Sequence, residues 1–358
     1  MDLSRPALGA LALSMAALLG GCAINELGRE AAPGTLIGTL DGAGSSAQSA
    51  AQEAWIATIQ LANGGLTVNY EPSGSGAGRE AFLAGGVDFA GSDSALSRDE
   101  LDGDFGSCAP GTTGIDLPLY ISPLAIIFNV EGVDRLALDA ETTARIFRGD
   151  IDRWNDPAIQ ALNEGARLPD AVITAVHRSD ASGTTKNFTD YLAQAAPGAW
   201  GAEAADAFPY AGESAQGNSG VVNAVANGVN TIGYADASRA EGLGIAALKV
   251  GDDFVDYTPE AAAAVVEASP LDSGRAPNDL ALILDRTIEA PGTYPLVLVS
   301  YVIACQEYRD PEVAELVRGY LSFIASAEGQ AVSAEFAGSA PLSERLTERV
   351  TTAIASIR

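Results

Sequence analysis

Short β-like apolar runs alternate with helix-like segments along the first hundred or so residues of the chain. Residues 35–40 (TLIGTL) predict a strand, and residues 45–62, which open with serines suited to capping, predict a helix. Two further strands are predicted at 66–71 (LTVNYE) and 87–92 (VDFAGS), with a Gly/Ser turn and a short helix between them. Because this alternation is typical of a parallel sheet with helices on its faces, the pattern predicts the α/β class.

A long apolar segment follows at residues 115–130. Its composition is typical of buried strands, and we expect it to run from one lobe of the protein into the next. Residues 251–290 have no clear pattern. The other predicted elements are a helix at about 139–147, a strand at 173–178, a helix at 182–196, strands at 231–236, 245–250 and 294–305, and two or three helices within 310–356.

Composition limits the kind of protein that these elements can build. The 358 residues include 20 Lys+Arg and 47 Asp+Glu, so the formal net charge is −27. This charge excludes a general nucleic-acid binder, because such proteins use positive charge to displace counterions from phosphates. Hydrophobic residues make up 47% of the chain, which is enough for a substantial core. Since single cores stop growing at about 250–300 residues, two lobes are expected.

The N-terminus has the pattern of a targeting signal. An uncharged apolar run at residues 7–19 follows Arg5. Its length fits a secretory h-region of about 7–15 residues, and it is too short to span a membrane, which takes about 20. Residues 1–21 are therefore interpreted as a signal peptide, and the rest of the chain as an exported module.

The apolar run ends at residues 19–22 (LGGC), which resemble the lipobox of bacterial lipoproteins. This resemblance implies that Cys22 carries a lipid, becomes the N-terminus of the mature protein and anchors it to the outer face of the cell membrane. Residues 22–34 then form a lipidated tether, since they are small and polar with a Pro-Gly ending. The alternative is ordinary cleavage, with Cys22 incidental.

Two cysteines remain, Cys108 and Cys305. An exported chain meets an oxidising compartment, where an even pair is more often a disulfide than a metal site. The chain contains one histidine, so a zinc site of the Cys/His type is not expected. We predict a disulfide between Cys108 and Cys305, no metal site and no cofactor.

Four turns rich in Gly, Ser and Thr lie at predicted strand ends or helix starts. They are residues 41–46, 73–78, 91–93 and 182–184. Unpaired N–H groups and the positive end of the helix dipole favour an anion at a helix N-terminus, and small residues let it approach closely. The hydroxyls that could add donors are those of Ser46, Ser75, Ser182 and Thr184. Each turn alone could be an ordinary cap, but several in one chain, with Arg178 beside one of them, indicate an anion site.

Arg178 ends the predicted strand before Ser182 and could bind such an anion, the alternative being a surface salt bridge with Asp180. Asp93 is unusual among the candidate anion-binding residues, because a carboxylate repels an anion. The conflict disappears if the ligand brings a proton, since Asp93 can accept a hydrogen bond from hydrogen phosphate but not from sulfate. An acceptor left unpaired penalises sulfate and gives discrimination.

Four segments together resemble one family. They are residues 42–47 (GAGSSA), 69–78 (NYEPSGSGAG), 87–97 (VDFAGSDSALS) and 177–192 (HRSDASGTTKNFTDYL). Their order and spacing resemble the phosphate-binding proteins of high-affinity phosphate ABC uptake systems, over nearly all of the mature chain and least between residues 195 and 290. By motif position the resemblance implies phosphate contacts at Ser46, the Ala47 amide, Ser75, Asp93, Arg178, Ser182, the Gly183 amide and Thr184, with Asp180 orienting Arg178. Ala47 departs from members with an aromatic residue there, but the contact needs only its N–H.

The resemblance also implies a fold and a role. The fold is a two-lobe periplasmic-binding-protein type II fold, each lobe a mixed, mostly parallel sheet flanked by helices, with the ligand in the cleft between the lobes. Lobe 1 is expected at residues 35–120 plus 291–358, and lobe 2 at 121–290. The implied role is that of a monomeric, non-enzymatic protein that captures inorganic phosphate outside the membrane and delivers it to the permease subunits of an ABC transporter.

Other interpretations compete with this one. Residues 42–47 also fit the dinucleotide pattern G-x-G-x-x-A, with Glu71 roughly 20 residues further on, but export argues against an intracellular cofactor. A serine hydrolase would need His177, which adjoins Arg178 on a strand and so points to the opposite face. No P-loop motif is present. Binding of another tetrahedral oxyanion, an exported enzyme acting on phosphate esters and an adhesin-like role stay open.

Overall fold

The computed structural model of the protein describes residues 36–358. The predicted signal peptide, the lipid on Cys22 and the tether therefore lie outside the described residues. Among residues 36–358, none of the helices combines the length and apolar character that a membrane crossing requires.

Eleven strands of this part form one mixed sheet. Their bounds are β1 Ile37–Gly44, β2 Gly65–Glu71, β3 Phe89–Ser92, β4 Gly114–Asn129, β5 Leu136–Leu138, β6 Thr174–Arg178, β7 Glu213–Ala215, β8 Thr231–Asp236, β9 Gly244–Val250, β10 Asp253–Val255 and β11 Val297–Cys305. The main order is β2-β1-β3-β11-β4-β8-β6-β7, and β9 joins β5 and β10 to β4. Strands β1 to β3 pair in parallel, as do β6 to β8, whereas β4 and β11 run antiparallel to their neighbours.

Twelve α-helices of the described part connect these strands. Their bounds are α1 Ser49–Ala62, α2 Ser75–Leu83, α3 Arg98–Leu101, α4 Ala140–Arg148, α5 Pro157–Leu162, α6 Gly183–Ala195, α7 Pro197–Trp200, α8 Gly217–Asn227, α9 Pro259–Ala268, α10 Pro311–Ala325, α11 Ala327–Ala337 and α12 Glu344–Ala355. Local sequence explains several starts. Pro259 and Pro311 occupy the first positions of α9 and α10, where a missing N–H does no harm.

Strand β4 takes part in two groups of strands. Its residues up to Pro123 pair with β11, and those from Leu124 onward pair with β8. We call β1–β3, β11, α1, α2 and α10–α12 lobe 1, and β6–β9 with α4–α8 lobe 2. Every residue of β4 except Asn129 is buried, which explains the continuous apolar run in the sequence.

The hydrophobic core extends through both lobes. Trp55 and Phe89 of lobe 1 and Trp154 and Phe188 of lobe 2 are fully buried and belong to one cluster. A disulfide joins Cys108 to Cys305 at the end of β11, as the sequence predicts.

The strand–helix alternation is confirmed, with shifted bounds. The first strand continues to Gly44, and its residues 42–44 pair with β3. A Cβ at Gly42 would lie 2.2 Å from the ring of Phe89, so glycine leaves the room that this ring needs. The helix predicted from residue 45 begins at Ser49, since residues 45–48 form a turn into the cleft. The region 251–290, where no element was predicted, contains β10 and α9, and the C-terminal region contains three helices.

Candidate functional site

Four helix N-termini meet in the cleft, those of α1 and α2 from lobe 1 and those of α6 and α8 from lobe 2. The N–H of Asn218 in α8 donates to Ser46 Oγ, just before α1, at 3.0 Å. The N–H of Gly76 in α2 donates to the carbonyl of Ala181, just before α6, at 3.0 Å. The positive ends of four helix dipoles therefore converge, an arrangement that favours an anion.

Three of these four N-termini have no side-chain cap. Within the described residues, α1, α2 and α8 lack one, and only α6 is capped, by Ser182. Of the other described helices, α3–α5 and α9–α12 each have a Ser, Thr or Asp cap, and only α7 lacks one. Three of the four described helix starts without a side-chain cap therefore lie at the cleft.

Asp93, directly after β3, is 3% exposed and lies at the centre of this region. Its Oδ1 accepts hydrogen bonds from Ser45 and, at 2.6 Å, from Ser300. Its Oδ2 accepts one from Thr184 at 2.8 Å. Its own N–H donates to Ser75 Oγ at 3.1 Å. Asp93 is thus a buried carboxylate whose side-chain partners are neutral hydroxyls.

Arg178 supplies the positive charge of the site. It ends β6 and is 3% exposed. Its Nε donates to Asp180 Oδ1 at 2.8 Å and its Nη2 to Asp180 Oδ2, so the pairing is bidentate and fixes the guanidinium plane. Its Nη1 donates to Thr184 Oγ1 at 3.2 Å. The N–H of Gly217 also donates to Asp180, at 3.1 Å, which ties this pair to the start of α8.

The two carboxylates of the site differ in their pKa values. Burial is the largest influence on Asp93 and raises its pKa, while the hydroxyl hydrogen bonds and the charge of Arg178 oppose the rise. Burial also acts to raise the pKa of Asp180, but the hydrogen bonds and charge of Arg178 outweigh it and lower that pKa. The ion pair with Arg178 therefore favours the charged form of Asp180, whereas burial disfavours the charged form of Asp93.

Direct hydrogen bonds join the lobes across the cleft. They run from Thr184 to Asp93 and from Asn218 to Ser46. A Cβ at Gly183 would lie 2.8 Å from the backbone of Asp93, so the close approach of α6 to lobe 1 requires glycine.

An ion pair at the rim of the cleft also joins the lobes. Arg79 of α2 pairs with Asp206, which follows α7, and Ser94 donates to the same carboxylate at 2.9 Å. These contacts add to the hydrogen bonds that join the two lobes near Asp93.

The structure brings the predicted contact residues together from both lobes. Lobe 1 contributes Ser46, Ala47, Ser75 and Asp93, and lobe 2 contributes Arg178, Ser182, Gly183 and Thr184. Two of them have local partners: the Ala47 amide donates to Ser45 Oγ at 3.1 Å, and Ser182 Oγ accepts from the Thr185 amide at 3.1 Å.

Three residues of the cluster were not among the predicted contacts: Ser45, Asn218 and Ser300. Ser300 is a lone polar residue in the fully buried strand β11, and that isolation is a signal of a partner. Asn218 follows Gly217, a glycine with φ of +68° at the start of α8, and so lies at an uncapped helix start like the others. Its segment falls where the family resemblance is weakest.

The contacts of His177 do not fit the role that a serine hydrolase would require of it. His177 stacks on Phe208 with ring centroids 4.4 Å apart, and its Nδ1 lies 2.9 Å from the carbonyl of Arg178. Among residues 36–358, no serine hydroxyl is hydrogen-bonded to its ring. The same residues contain no group of three His, Cys, Asp or Glu side chains arranged to hold a metal ion.

Comparison with known proteins shows what this chain is similar to. A family profile described as "PBP superfamily domain" matches residues 29–328. The chain is 37% identical to phosphate-binding protein PstS 3 of Mycobacterium tuberculosis over 326 residues, which cover 89% of this chain and 86% of that protein. It is 28% identical to phosphate-binding protein PstS of Pasteurella multocida, over 87% of this chain and 88% of that one.

Solved structures share the fold. A high-affinity periplasmic phosphate-binding protein crystallised with phosphate superposes with a TM-score of 0.70 and 23% identity, covering 88% of this chain and 93% of that one. A phosphate-binding protein from Stenotrophomonas maltophilia gives a TM-score of 0.67 and 20% identity over the same shares. The two-lobe architecture inferred from the sequence is therefore that of solved proteins.

Proposed function

Because this chain belongs to the PBP superfamily and, within it, to the family of phosphate-binding proteins, we propose that it binds inorganic phosphate outside the membrane and passes it to an ABC permease. One observation carries the proposal. Four helix N-termini, three of them uncapped, converge on a buried arginine and a buried carboxylate. This combination offers many donors to an oxyanion and one acceptor to its proton.

In the proposed complex, donors from both lobes surround the phosphate oxygens. They are the hydroxyls of Ser46, Ser75, Ser182 and Thr184, the amides of Ala47 and Gly183, and the guanidinium of Arg178, which Asp180 orients. Asp93 accepts a hydrogen bond from the P–OH group of hydrogen phosphate. The bonds that now join Thr184 to Asp93 and Asn218 to Ser46 are exchanged for bonds to the ion.

Short-range contacts must provide the affinity. The net charge of −27 gives no long-range attraction for an anion, so binding depends on charge-assisted hydrogen bonds in a site closed to water. A ligand that bonds both lobes shifts their balance towards the closed form.

The lobe boundaries are part of the proposal. We place lobe 1 at residues 35–120 plus 291–358 and lobe 2 at 121–290. The change of partner within β4, from β11 at Pro123 to β8 at Leu124, supports a crossing at this point.

Anchoring is proposed from sequence alone. A signal peptide at 1–21 and a lipid on Cys22 would tether a monomeric protein to the outer face of the membrane by residues 22–34. Mass spectrometry of the mature N-terminus tests this step, and an unmodified Cys22 in membrane-bound protein contradicts it.

Calorimetric titration of the purified chain with phosphate, arsenate, sulfate and molybdate tests the function. We expect tight binding of phosphate, binding of arsenate, which also carries a proton, and no competition from sulfate at neutral pH. An incubation with a phosphate ester, expected to show no turnover, distinguishes a binding protein from an enzyme. Preferential binding of sulfate or molybdate would contradict the proposal.

A further inference from the structure

A line of buried polar side chains leads from α10 to Asp93. Tyr320 donates to Gln52 Oε1 at 2.7 Å, and Gln52 Nε2 donates to Gln48 Oε1 at 2.9 Å. Gln48 Nε2 donates to Ser300 Oγ at 2.7 Å, and Ser300 donates to Asp93 Oδ1 at 2.6 Å. None of these residues is more than 3% exposed, so water does not compete for the bonds.

The carbonyl of Tyr301 fixes the direction of this line. Gln48 Nε2 lies 2.9 Å from that oxygen, which can only accept, so the nitrogen of the Gln48 amide must face it. The second N–H of the same nitrogen then points at Ser300 Oγ. Because the Ser300 hydroxyl receives this bond, its single proton is left for Asp93.

Ser45 reaches the same carboxylate oxygen in the same way. Its Oγ accepts from the amides of Ala47 and Gln48 at 3.1 and 3.4 Å, and its proton goes to Asp93 Oδ1. Oδ1 is thus occupied from within lobe 1, whereas Oδ2 faces Thr184 of lobe 2. Only Oδ2 is turned towards the residues that we assign to the ligand.

Resting on the proposed phosphate function, we infer that Gln48 and Ser300 are positioning residues that set the preference for phosphate over sulfate. They act through Asp93, because their one-way hydrogen bonds keep it an acceptor and hold Oδ2 towards the ligand. In that state Asp93 accepts a hydrogen bond from the P–OH group of hydrogen phosphate and offers sulfate no partner. A protonated Asp93 can instead donate to sulfate, and the preference is lost.

The surroundings of Asp93 give the sign of the pH dependence. The charged and titratable groups that face it are Arg178 of β6, Asp236 of β8 and Tyr70 of β2. The adjoining cavity is also lined by Arg98, Lys186, Asp190, Arg275, Arg286 and Tyr301. Burial raises the pKa of Asp93, and the hydrogen bond from Ser300 is the largest of the influences that lower it. Removing that donor raises the pKa further, so sulfate begins to compete at a higher pH.

The test is a competition titration of phosphate against sulfate on the full chain, across the pH range in which carboxylates titrate. In Ser300→Ala and Gln48→Leu, the ratio of the sulfate Kd to the phosphate Kd should fall by roughly tenfold on the acidic side, the value of one hydrogen bond to a charged group. The pH at which half of the preference is lost should rise. Tyr320→Phe is the matched control, because it removes one buried hydrogen bond but leaves the Tyr301 carbonyl to orient Gln48, and it should keep the wild-type profile.

Each outcome decides a separate question. A wild-type ratio and pH profile in folded Ser300→Ala overturns the inference, and so does an equal change in Tyr320→Phe. If Ser300→Ala does not fold, Ser300→Cys keeps the volume and weakens the donor, so an intermediate shift supports the inference and a wild-type profile overturns it. Absence of phosphate binding by the wild-type chain overturns the proposed function instead.

Discussion

The side chains of Arg178 in the cleft and Arg275 beside β4 are at most 8% exposed and pair with aspartates, but their surroundings differ. Arg178 pairs with Asp180 alone, and its Nη1 donates to the Thr184 hydroxyl. Arg275 lies within 3.3 Å of three carboxylates and also donates to the carbonyl of Leu96 at 2.7 Å. The three carboxylates around Arg275 are those of Asp116, Asp272 and Asp279.

This contrast shows that a buried arginine does not by itself make an anion site. The three carboxylates outnumber the charges of Arg275 and of Arg98, which also pairs with Asp272, and leave an excess that repels anions. Around Arg178 the further direct partner is the Thr184 hydroxyl, and the nearby helix N-termini add positive potential that offsets the charge of Asp93. We therefore assign the first cluster to stability and propose the second as the ligand site.

The largest expected effect comes from breaking the structural cluster. Arg275→Ala leaves the buried carboxylates of Asp116 and Asp279 without a cation, while Asp272 keeps its pair with Arg98. Removal of one partner from a buried pair destabilises by about 3–5 kcal/mol. Denaturant unfolding should show this loss, whereas phosphate affinity of the folded fraction should stay near that of the wild type. A stable variant with weakened phosphate binding would reverse the roles that we give to the two arginines.

Removing the other arginine should act on binding. Arg178→Ala removes the one cation of the site and its charge-assisted hydrogen bonds, so phosphate affinity should fall by at least about 100-fold. Calorimetry measures the effect, with far-UV circular dichroism as the control for folding. Near-native affinity would remove Arg178 from the site.

The smallest expected effect is on the pH dependence of stability around Arg275. Burial and the charge of Asp279 raise the pKa of Asp116, while Arg275 lowers it in part. A carboxyl whose folded pKa is raised contributes stability below its unfolded pKa, and this is lost as pH rises through the folded value. Asp116→Asn should therefore be more stable than the wild type at neutral pH, by up to ~1 kcal/mol, with the gap closing as pH falls. Denaturant unfolding at several pH values measures the gap, and a destabilisation that is equal at every pH would contradict this account.

Local sequence was enough to predict most strands and the turns of the cleft. The serines and glycines at residues 45–46, 73–78 and 182–184 act through backbone geometry and helix starts, which depend on near neighbours. The disulfide could be predicted because assigning Cys22 to a lipid leaves only Cys108 and Cys305 to pair.

The rest of the site could not be predicted in this way. Ser300 and Asp93 are 207 residues apart, and Asn218 and Ser46 are 172 apart, so their contacts depend on how two lobes and a shared sheet assemble. Ser300 lies among apolar neighbours in β11, where the sequence indicates only a buried strand. The direction of the Gln48 amide depends on the Tyr301 carbonyl, a backbone atom that carries no sequence signal.

The most direct test is the ratio of the phosphate and sulfate dissociation constants for the wild-type chain and for Asp93→Asn, measured by calorimetry at neutral pH. Asparagine can donate a hydrogen bond to sulfate where the carboxylate can only accept, so the preference for phosphate should fall by at least about tenfold. An unchanged preference in a folded Asp93→Asn protein would contradict the claim that this carboxylate senses the proton of the ligand.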